Sequence, residues 1–131
     1  MCGIVGLFLK DKSLEPQLGT LLSDMLITMT DRGPDSAGIA IYGAPSEGKT
    51  KLTLQSARPD VDFRRLDKDL AEAGIDAKVV IKSTHAVVEV AAASTAAARS
   101  AILSIRPDIR VMGAGESVEI YKETGLPKDV V

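Results

Sequence analysis

Six apolar residues between positions 18 and 29 recur with the three- and four-residue spacing of one helix face. They are Leu18, Leu21, Leu22, Met25, Leu26 and Met29. This pattern predicts a helix that begins at Glu15 or Pro16 and ends near Thr30. A helix with a single apolar face gains its stability by burying that face, so we interpret the stripe as core packing.

Short apolar segments on either side of this helix are predicted strands. Cys2–Leu9 is apolar and partly β-branched, which is typical of a buried strand that starts close to residue 1. Asp31–Ser36 contains a Gly-Pro pair that ends the helix, and Ala37–Tyr42 is expected to return as a strand. Thr50–Gln55 has strand-like alternation, and we expect it to form a hairpin with Ala37–Tyr42.

Two more helices are predicted in the second half of the sequence. Val61–Ala73 has the pattern of a charged surface helix whose apolar residues Phe63, Leu66 and Leu70 point inward. Ser94 precedes an Ala-rich stretch and is positioned to cap a helix that ends near Ser104.

The remaining apolar segments of the second half indicate strands. Four are expected: Lys78–Ile81, Ala86–Val90, Ile109–Met112 and Ser117–Tyr121. The last two flank Gly113-Ala114-Gly115, which we interpret as the turn between them.

Composition excludes several classes of function. Lys and Arg number 16 against 18 for Asp and Glu, and there are four aromatic residues and no Trp, so no nucleic-acid partner is expected. The apolar run Cys2–Leu9 is far shorter than the ~20 residues of a membrane span, so we expect a cytoplasmic protein without a membrane partner. One Cys fits a reducing compartment, and one His excludes a multi-His metal site. Neither a metal nor another cofactor is predicted.

Cys2 is the first candidate for chemistry. Methionine is commonly removed before a small residue, and Cys2 would then carry the thiol and the α-amine of the mature N-terminus. An α-amine has a pKa of roughly 7.7–8.0, so it can serve as a base near neutral pH, and a thiol is a strong nucleophile. One residue can therefore supply nucleophile and base without a His. The alternative is that Cys2 is a small apolar residue of a buried strand.

Two motifs taken together resemble a known family. Met1-Cys2-Gly3-Ile4-Val5-Gly6 is followed about 25 residues later by Arg32-Gly33-Pro34-Asp35-Ser36-Ala37-Gly38. This pair is similar to the opening of the class II glutamine amidotransferases, which are N-terminal-nucleophile hydrolases. The second half is most similar to the amidotransferase subunits of glutamate-synthase-like and N-methylglutamate-synthase-like complexes.

The resemblance implies a role for five residues. Cys2 would attack the side-chain amide carbon of L-glutamine, form a thioester and release ammonia to a synthase subunit. Arg32 and Gly33 would lie beside the nucleophile, and Arg32 would help to order it. Asp35 and Ser36 would support the loop, since short polar side chains readily bond to nearby backbone.

The resemblance also implies a fold. We expect an α+β chain that forms part of a four-layer α-β-β-α sandwich, as in N-terminal-nucleophile hydrolases, with a small additional α/β lobe. Residues 1–57 would be the N-terminal part of the amidotransferase domain, and residues 58–131 an elaboration or insertion of it. A partial sandwich has exposed sheet edges, which favour association into a homo-oligomer.

The sequence departs from the family pattern at two points. It contains no Asn, so it cannot supply the Asn of the family's oxyanion hole, and losing one such donor typically costs about 10²–10³ in rate. The Arg-bearing segment that grips the glutamine carboxylate is also missing; Ser83-Thr84-His85 resembles only its end, and His85 is interpreted as a strand residue. Two hypotheses remain open: an incomplete piece of an amidotransferase, or a non-catalytic interaction module that docks on a synthase subunit.

Overall fold

The chain divides into two units in the computed structural model, which describes residues 2–131. The terminal unit comprises the chain up to Gly38 together with Lys122–Val131, and the central unit comprises Ile39–Tyr121. The boundary that we expected between residues 57 and 58 was drawn between two parts of an amidotransferase domain. The division into compact units does not test it, so it stays a prediction.

The N-terminal apolar segment of the terminal unit is not a strand, which corrects the prediction for Cys2–Leu9. Burial still alternates along it, because the odd positions 5, 7 and 9 are half-buried while Ile4 and Phe8 are 95% and 86% exposed. A strand needs a neighbour to exchange backbone hydrogen bonds with, and none of the described strands pairs with this segment. The expected burial is therefore wrong as well as the expected pairing, since Cys2, Gly3, Ile4, Gly6 and Phe8 are exposed.

The predicted amphipathic helix of the terminal unit is confirmed, and a tighter turn precedes it. Lys12–Gln17 forms a 3-10 helix, which leads into α1 at Leu18–Ile27. The Asp11 carboxylate accepts a hydrogen bond from the Ser13 amide at 2.9 Å and caps this first turn. The short helix α5, Pro127–Val130, packs on α1. No residue of α1 is fully buried, so its apolar stripe is only partly covered.

A two-stranded sheet replaces the expected hairpin between neighbouring segments. The predicted strand at Ala37–Tyr42 is confirmed as β1, Ser36–Tyr42, but it does not pair with the next strand along the chain. Its partner is β6, Val118–Thr124, and the Gly43 amide donates to the Ser117 carbonyl at 2.9 Å where the pair ends. The alternation of apolar and polar residues within a strand cannot reveal a partner strand that is so distant in sequence.

Four strands form the sheet of the central unit, and all four lie where the sequence predicts them. They are β2 at Lys49–Gln55, β3 at Ala77–Lys82, β4 at His85–Ala91 and β5 at Arg110–Gly115. Their order across the sheet is β3-β4-β2-β5, and every neighbouring pair is antiparallel. The strand placement expected for His85 is therefore confirmed.

Gly113-Ala114-Gly115 lies inside β5, so the turn predicted there is wrong. A Cβ atom on Gly113 would stand 2.7 Å from Cδ1 of Ile120, well inside van der Waals contact. The missing side chain therefore allows Ile120 to pack directly on the strand. Close packing rather than a turn explains the glycine.

The helix predicted over Val61–Ala73 is divided into two short helices. These are α2, Pro59–Asp62, and α3, Leu66–Glu72. Arg65 precedes α3 with a φ of 57°, in the left-handed region that L residues other than Asn, Asp and Gly seldom occupy. The inward direction predicted for Phe63, Leu66 and Leu70 is confirmed, since all three are buried.

The Ala-rich helix is also confirmed as α4, Thr95–Ile105, although its cap differs from the prediction. Ser94 occupies the N-cap position without a capping side-chain hydrogen bond. The Thr95 hydroxyl instead donates to the Ala92 carbonyl at 2.8 Å.

The core of the central unit lies between one face of its sheet and the helices α3 and α4. Apolar side chains from all these elements fill it: Leu52, Leu54, Phe63, Leu66, Leu70, Ile75, Ala86, Val88, Val90, Ala98, Ile102 and Ile109. The mixture of helices with antiparallel sheets confirms the α+β class. The four-layer sandwich and the separate α/β lobe remain predictions.

Candidate functional site

Cys2 lies in the exposed N-terminal segment and carries a free thiol. The next residue, Gly3, fits tightly against the terminal unit: a Cβ atom built on it would overlap Cε of Met29 and would lie 3.1 Å from Cβ of Arg32. The N-terminal segment can approach so closely because Gly3 has no side chain. The sequence-predicted nucleophile is therefore one residue away from a direct contact with Arg32.

Arg32 ends a single 3-10 turn, Thr30–Arg32, that directly follows the segment after α1. Its amide donates to the Met29 carbonyl at 2.9 Å, and the Gly33 amide donates to the Thr30 carbonyl at 3.2 Å. Pro34 then has no amide hydrogen with which to continue the helix. These backbone bonds hold Arg32 in place while its side chain stays exposed.

Asp35 and Ser36 lie just beyond this turn, where β1 begins. The Asp35 carbonyl accepts a hydrogen bond from the Gly125 amide at 3.0 Å, so the backbone of the loop is tied to the C-terminal part of the chain. The described contacts thus place Gly3 beside Arg32, whereas Asp35 is bonded through its backbone to Gly125. The side-chain roles expected for Asp35 and Ser36 stay predictions.

A second set of polar side chains, in the central unit, was missed by the sequence reasoning. Glu119 on β6 is its hub: its carboxylate accepts from Lys51 at 3.1 Å, from Lys82 at 3.2 Å and from the Tyr121 hydroxyl at 2.5 Å. Only 17% of the Lys51 side chain and 16% of the Glu119 side chain are exposed. We call Lys51, Lys82, Glu119 and Tyr121 the Glu119 cluster.

Burial and hydrogen bonding shift the pKa values in the Glu119 cluster. Burial alone would raise the pKa of Glu119, but the donors Tyr121, Lys51 and Lys82 together hold it below its ordinary value. The hydrogen bond with Tyr121 is the main reason why the pKa of Lys82 is raised. Burial, followed by the neighbouring Glu119, raises the pKa of Tyr121. These groups stabilise one another in the charge states that they have at neutral pH.

His85 borders the Glu119 cluster and is 4% exposed. Its ring meets the Tyr121 ring edge to face, with 5.4 Å between centroids, and its Nδ1 lies 3.1 Å from the Thr84 hydroxyl. The i, i+2 spacing of Glu119 and Tyr121 indicates one strand face, and it is the only signal of the cluster in the sequence. That Lys51 and Lys82 meet this face depends on how distant strands pair.

Neither a metal centre nor a membrane span is found among residues 2–131. No group of three or more His, Cys, Asp or Glu side chains in that range is arranged to hold a metal ion. None of its helices has both the length and the apolar character needed to cross a bilayer.

Comparison with known proteins gives one relative over the whole chain. All 131 residues align at 72% identity with the glutamine amidotransferase-like protein GlxB of Rhizobium meliloti (strain 1021). The alignment covers 44% of that relative, so the chain spans less than half of its length. The chain is therefore similar, along its whole length, to part of a protein with that name.

A shorter match has a related name. Over 43 residues, 33% of the chain, the sequence is 51% identical to a protein of Methanothermobacter thermautotrophicus named "Putative glutamine amidotransferase". That stretch is 14% of the relative's length. No family model and no solved structure matches the chain.

Proposed function

We propose that this chain carries the nucleophile of a glutamine-hydrolysing amidotransferase of the class II, N-terminal-nucleophile type. The observation that carries the proposal is the packing of Gly3 on Arg32, because it draws the two sequence motifs together within the terminal unit. The names of both relatives support glutamine as the substrate. The exposed thiol of Cys2 is open to a ligand.

The reaction follows from the chemistry of an N-terminal cysteine. With Met1 removed, the α-amine of Cys2 takes the thiol proton and the sulfur attacks the side-chain carbonyl carbon of glutamine. The carbon–nitrogen bond breaks, the amine returns the proton to the leaving nitrogen, and ammonia departs from a glutamyl thioester. Water then attacks the thioester and releases glutamate and the free thiol. Met1 lies outside the described residues.

The Arg32 loop has a positioning role in this mechanism. Backbone hydrogen bonds fix the turn that ends at Arg32, so its guanidinium group can order the Cys2–Gly3 segment without a large entropy loss. Gly33 would lie beside the nucleophile, and Asp35 and Ser36 would support the loop as it enters β1.

Two parts of the proposed reaction have no residue of this chain assigned to them. The oxyanion of the tetrahedral intermediate needs preorganised donors, and this sequence has no Asn to offer one. The ammonia needs an acceptor, which we assign to a synthase subunit. The whole chain aligns with 44% of the relative's length, which is consistent with oxyanion donors and an ammonia acceptor that this chain does not supply.

Intact mass spectrometry tests the proposal. The full-length protein is incubated with 6-diazo-5-oxo-norleucine, a glutamine analogue that alkylates the attacking thiol with loss of N₂. We expect loss of Met1 and a single adduct on Cys2, no adduct in Cys2→Ala, and at least tenfold slower labelling in Arg32→Gln. Arg99→Gln, an exposed arginine of α4, is the matched control. Retention of Met1 together with an unlabelled Cys2 would reject the catalytic proposal.

The second candidate is a non-catalytic module that docks on a synthase subunit. The absence of Asn and the exposure of Ile4 and Phe8 favour it. A docked module would bury these two apolar side chains in the complex. Ile4→Ser with Phe8→Ser would then abolish association with the synthase subunit, whereas Cys2→Ala would leave it unchanged.

A further inference from the structure

An open basic depression lies at the surface of the central unit and contains none of the residues assigned to glutamine hydrolysis; we call it the arginine cavity. Its volume is about 380 Å³, and it is lined by Val61, Arg64, Arg65, Asp69 and Arg106. Three arginines face a single carboxylate, so the lining has a formal charge of +2. This volume is at the lower end of the range for small-molecule sites, roughly 300–1,000 Å³.

Arg106 forms a fixed wall of the cavity. Its guanidinium donates to the carbonyls of Asp62 at 3.2 Å, Ile105 at 3.2 Å and Arg64 at 3.3 Å, and to the Asp69 carboxylate at 2.6 Å. Four of its five N–H groups are therefore engaged. Arg106 connects the end of α4 to the segment between α2 and α3, and Asp69 neutralises it.

Arg64 and Arg65 are different, because their guanidinium groups have unused donors. In the part of the chain that the structure describes, Arg64 has neither an ion pair nor a side-chain hydrogen bond, and Arg65 has one ion pair, 3.7 Å from Glu72. Both side chains are exposed. Arg65 also holds the left-handed φ of 57°, a conformation that costs free energy and turns the chain sharply at the cavity.

We propose that this cavity binds the phosphate group of a small-molecule ligand. Guanidinium groups match the tetrahedral oxygens of phosphate through paired N–H donors, and a phosphate dianion balances the charge of the lining. Arg65 is already paired with Glu72, and a phosphate group offers more acceptor oxygens to the unused N–H donors of Arg64 and Arg65 than a single carboxylate does. The proposal goes beyond glutamine hydrolysis and stands independently of it, because no residue of the cavity has a role in that reaction.

Calorimetric titration of the full-length protein with pyrophosphate tests the site. We expect saturable binding that is weakened about tenfold or more in Arg64→Gln, since a charged hydrogen-bond donor is lost from the site. The double variant Arg64→Gln/Arg65→Gln should show no saturation. Arg99→Gln is the matched control and should bind within twofold of the unmodified protein. Arg106 is left intact because its substitution would remove structural hydrogen bonds.

Succinate distinguishes a phosphate site from general attraction of anions. It is a dianion without a tetrahedral phosphate group, and we expect it to bind at least tenfold more weakly than inorganic phosphate, which is also mainly a dianion at the pH 8 of this titration. Equal affinity for the two, or an equal loss in Arg64→Gln and Arg99→Gln, would overturn the proposal. Absence of heat and of amide chemical-shift changes at millimolar pyrophosphate would also overturn it. Thermal melting of each variant confirms that the fold is kept.

Discussion

The terminal and central units bury their side chains to very different extents. The central unit covers one face of a four-stranded sheet with helices and buries a continuous apolar core. In the described part of the terminal unit, only Ala37 and Pro127 reach the same degree of burial, and the apolar stripe of α1 is half-covered. The proposed catalytic residues belong to the weaker unit, and the proposed phosphate site belongs to the stronger one.

The difference teaches that an apolar stripe predicts a buried face only when a partner surface is present. α1 has the regular spacing of a core helix, but it packs on the short α5, which offers little area. α3 is shorter than α1, and its Leu66 and Leu70 are fully buried because the central sheet lies beneath them. Stability follows the area removed from water rather than the quality of the pattern.

Leucine truncation gives the sharpest test of this contrast. Leu70→Ala removes a fully buried side chain from α3, and we expect the free energy of unfolding to fall by about 2–5 kcal/mol. Leu26→Ala in α1 is the matched variant and should cost less than half as much, since Leu26 is only half-buried. Urea denaturation followed by circular dichroism measures both. Equal losses would show that the terminal unit has a core as well packed as that of the central unit.

The next largest expected loss in the free energy of unfolding comes from breaking a buried polar pair in the central unit. The Ser56 hydroxyl donates to the Asp62 carboxylate at 2.5 Å and accepts from the Arg58 amide at 2.8 Å. Ser56→Ala leaves a carboxylate that is 4% exposed with one donor fewer, so we expect a loss of about 1–3 kcal/mol in the same denaturation measurement.

Ser23→Ala is the control for Ser56→Ala. Ser23 is half-buried in α1, where Ala is the better helix former, so its replacement should be neutral or slightly stabilising. If the two serine variants had the same stability, the Ser56–Asp62 bond would contribute nothing to the central unit.

Gly113 in the central unit and Gly3 in the terminal unit both lie close to neighbouring side chains, so adding a methyl group at each compares how well the two units tolerate extra volume. Gly113→Ala would press on Ile120 in the central unit, and we expect a loss of about 1–3 kcal/mol. Ile120→Val deletes the atom that would clash, so it should restore part of that loss. Gly3→Ala in the terminal unit should cost less, because the flexible end of Met29 can move away. Thermal melting of the four proteins, including the double variant, checks the order.

Local elements could be predicted from this sequence, and most partnerships between them could not. The four strands of the central sheet, the inward face of Phe63, Leu66 and Leu70, and α1 and α4 are all visible as periodicities. The pairing of β1 with β6 depends on long-range packing, and so does the close contact of the Ile120 side chain with Gly113. Period-2 and period-3.6 patterns record which face is apolar and carry no information on what covers it.

The candidate sites follow the same rule. Cys2 and Arg32 could be selected because each lies in a short contiguous motif, although only the structure shows that Gly3 brings the two motifs together. The Glu119 cluster could not be found, since it collects side chains from strands far apart in the chain. The arginine cavity takes four of its five lining residues from positions 61–69, and the sequence does not show the bend there or the approach of Arg106. The short break that places Arg64 and Arg65 at a bend interrupts an otherwise convincing helical pattern.

The Glu119 cluster provides the smallest expected effect, a dependence of the stability of the central unit on pH. The pKa of Glu119 is below its ordinary value of 4.5 in the folded chain, so the folded state binds fewer protons than the unfolded state as pH falls through this range. Its contribution is therefore full above pH 4.5 and is lost on acidification. Lys82 and Tyr121 have raised pKa values, so their contributions are full below about pH 10 and are lost at higher pH.

Glu119→Gln isolates this contribution, because the amide keeps the shape of the side chain and cannot titrate. We expect the variant to be less stable than the unmodified protein at pH 7, and the difference to shrink as pH falls below 4.5. Glu15→Gln, which removes one carboxylate at an exposed position of the terminal unit, is the matched control. Urea denaturation at half-unit pH steps measures the three profiles. Parallel profiles for the unmodified protein and Glu119→Gln would mean that the carboxylate does not hold Lys51, Lys82 and Tyr121 together in solution.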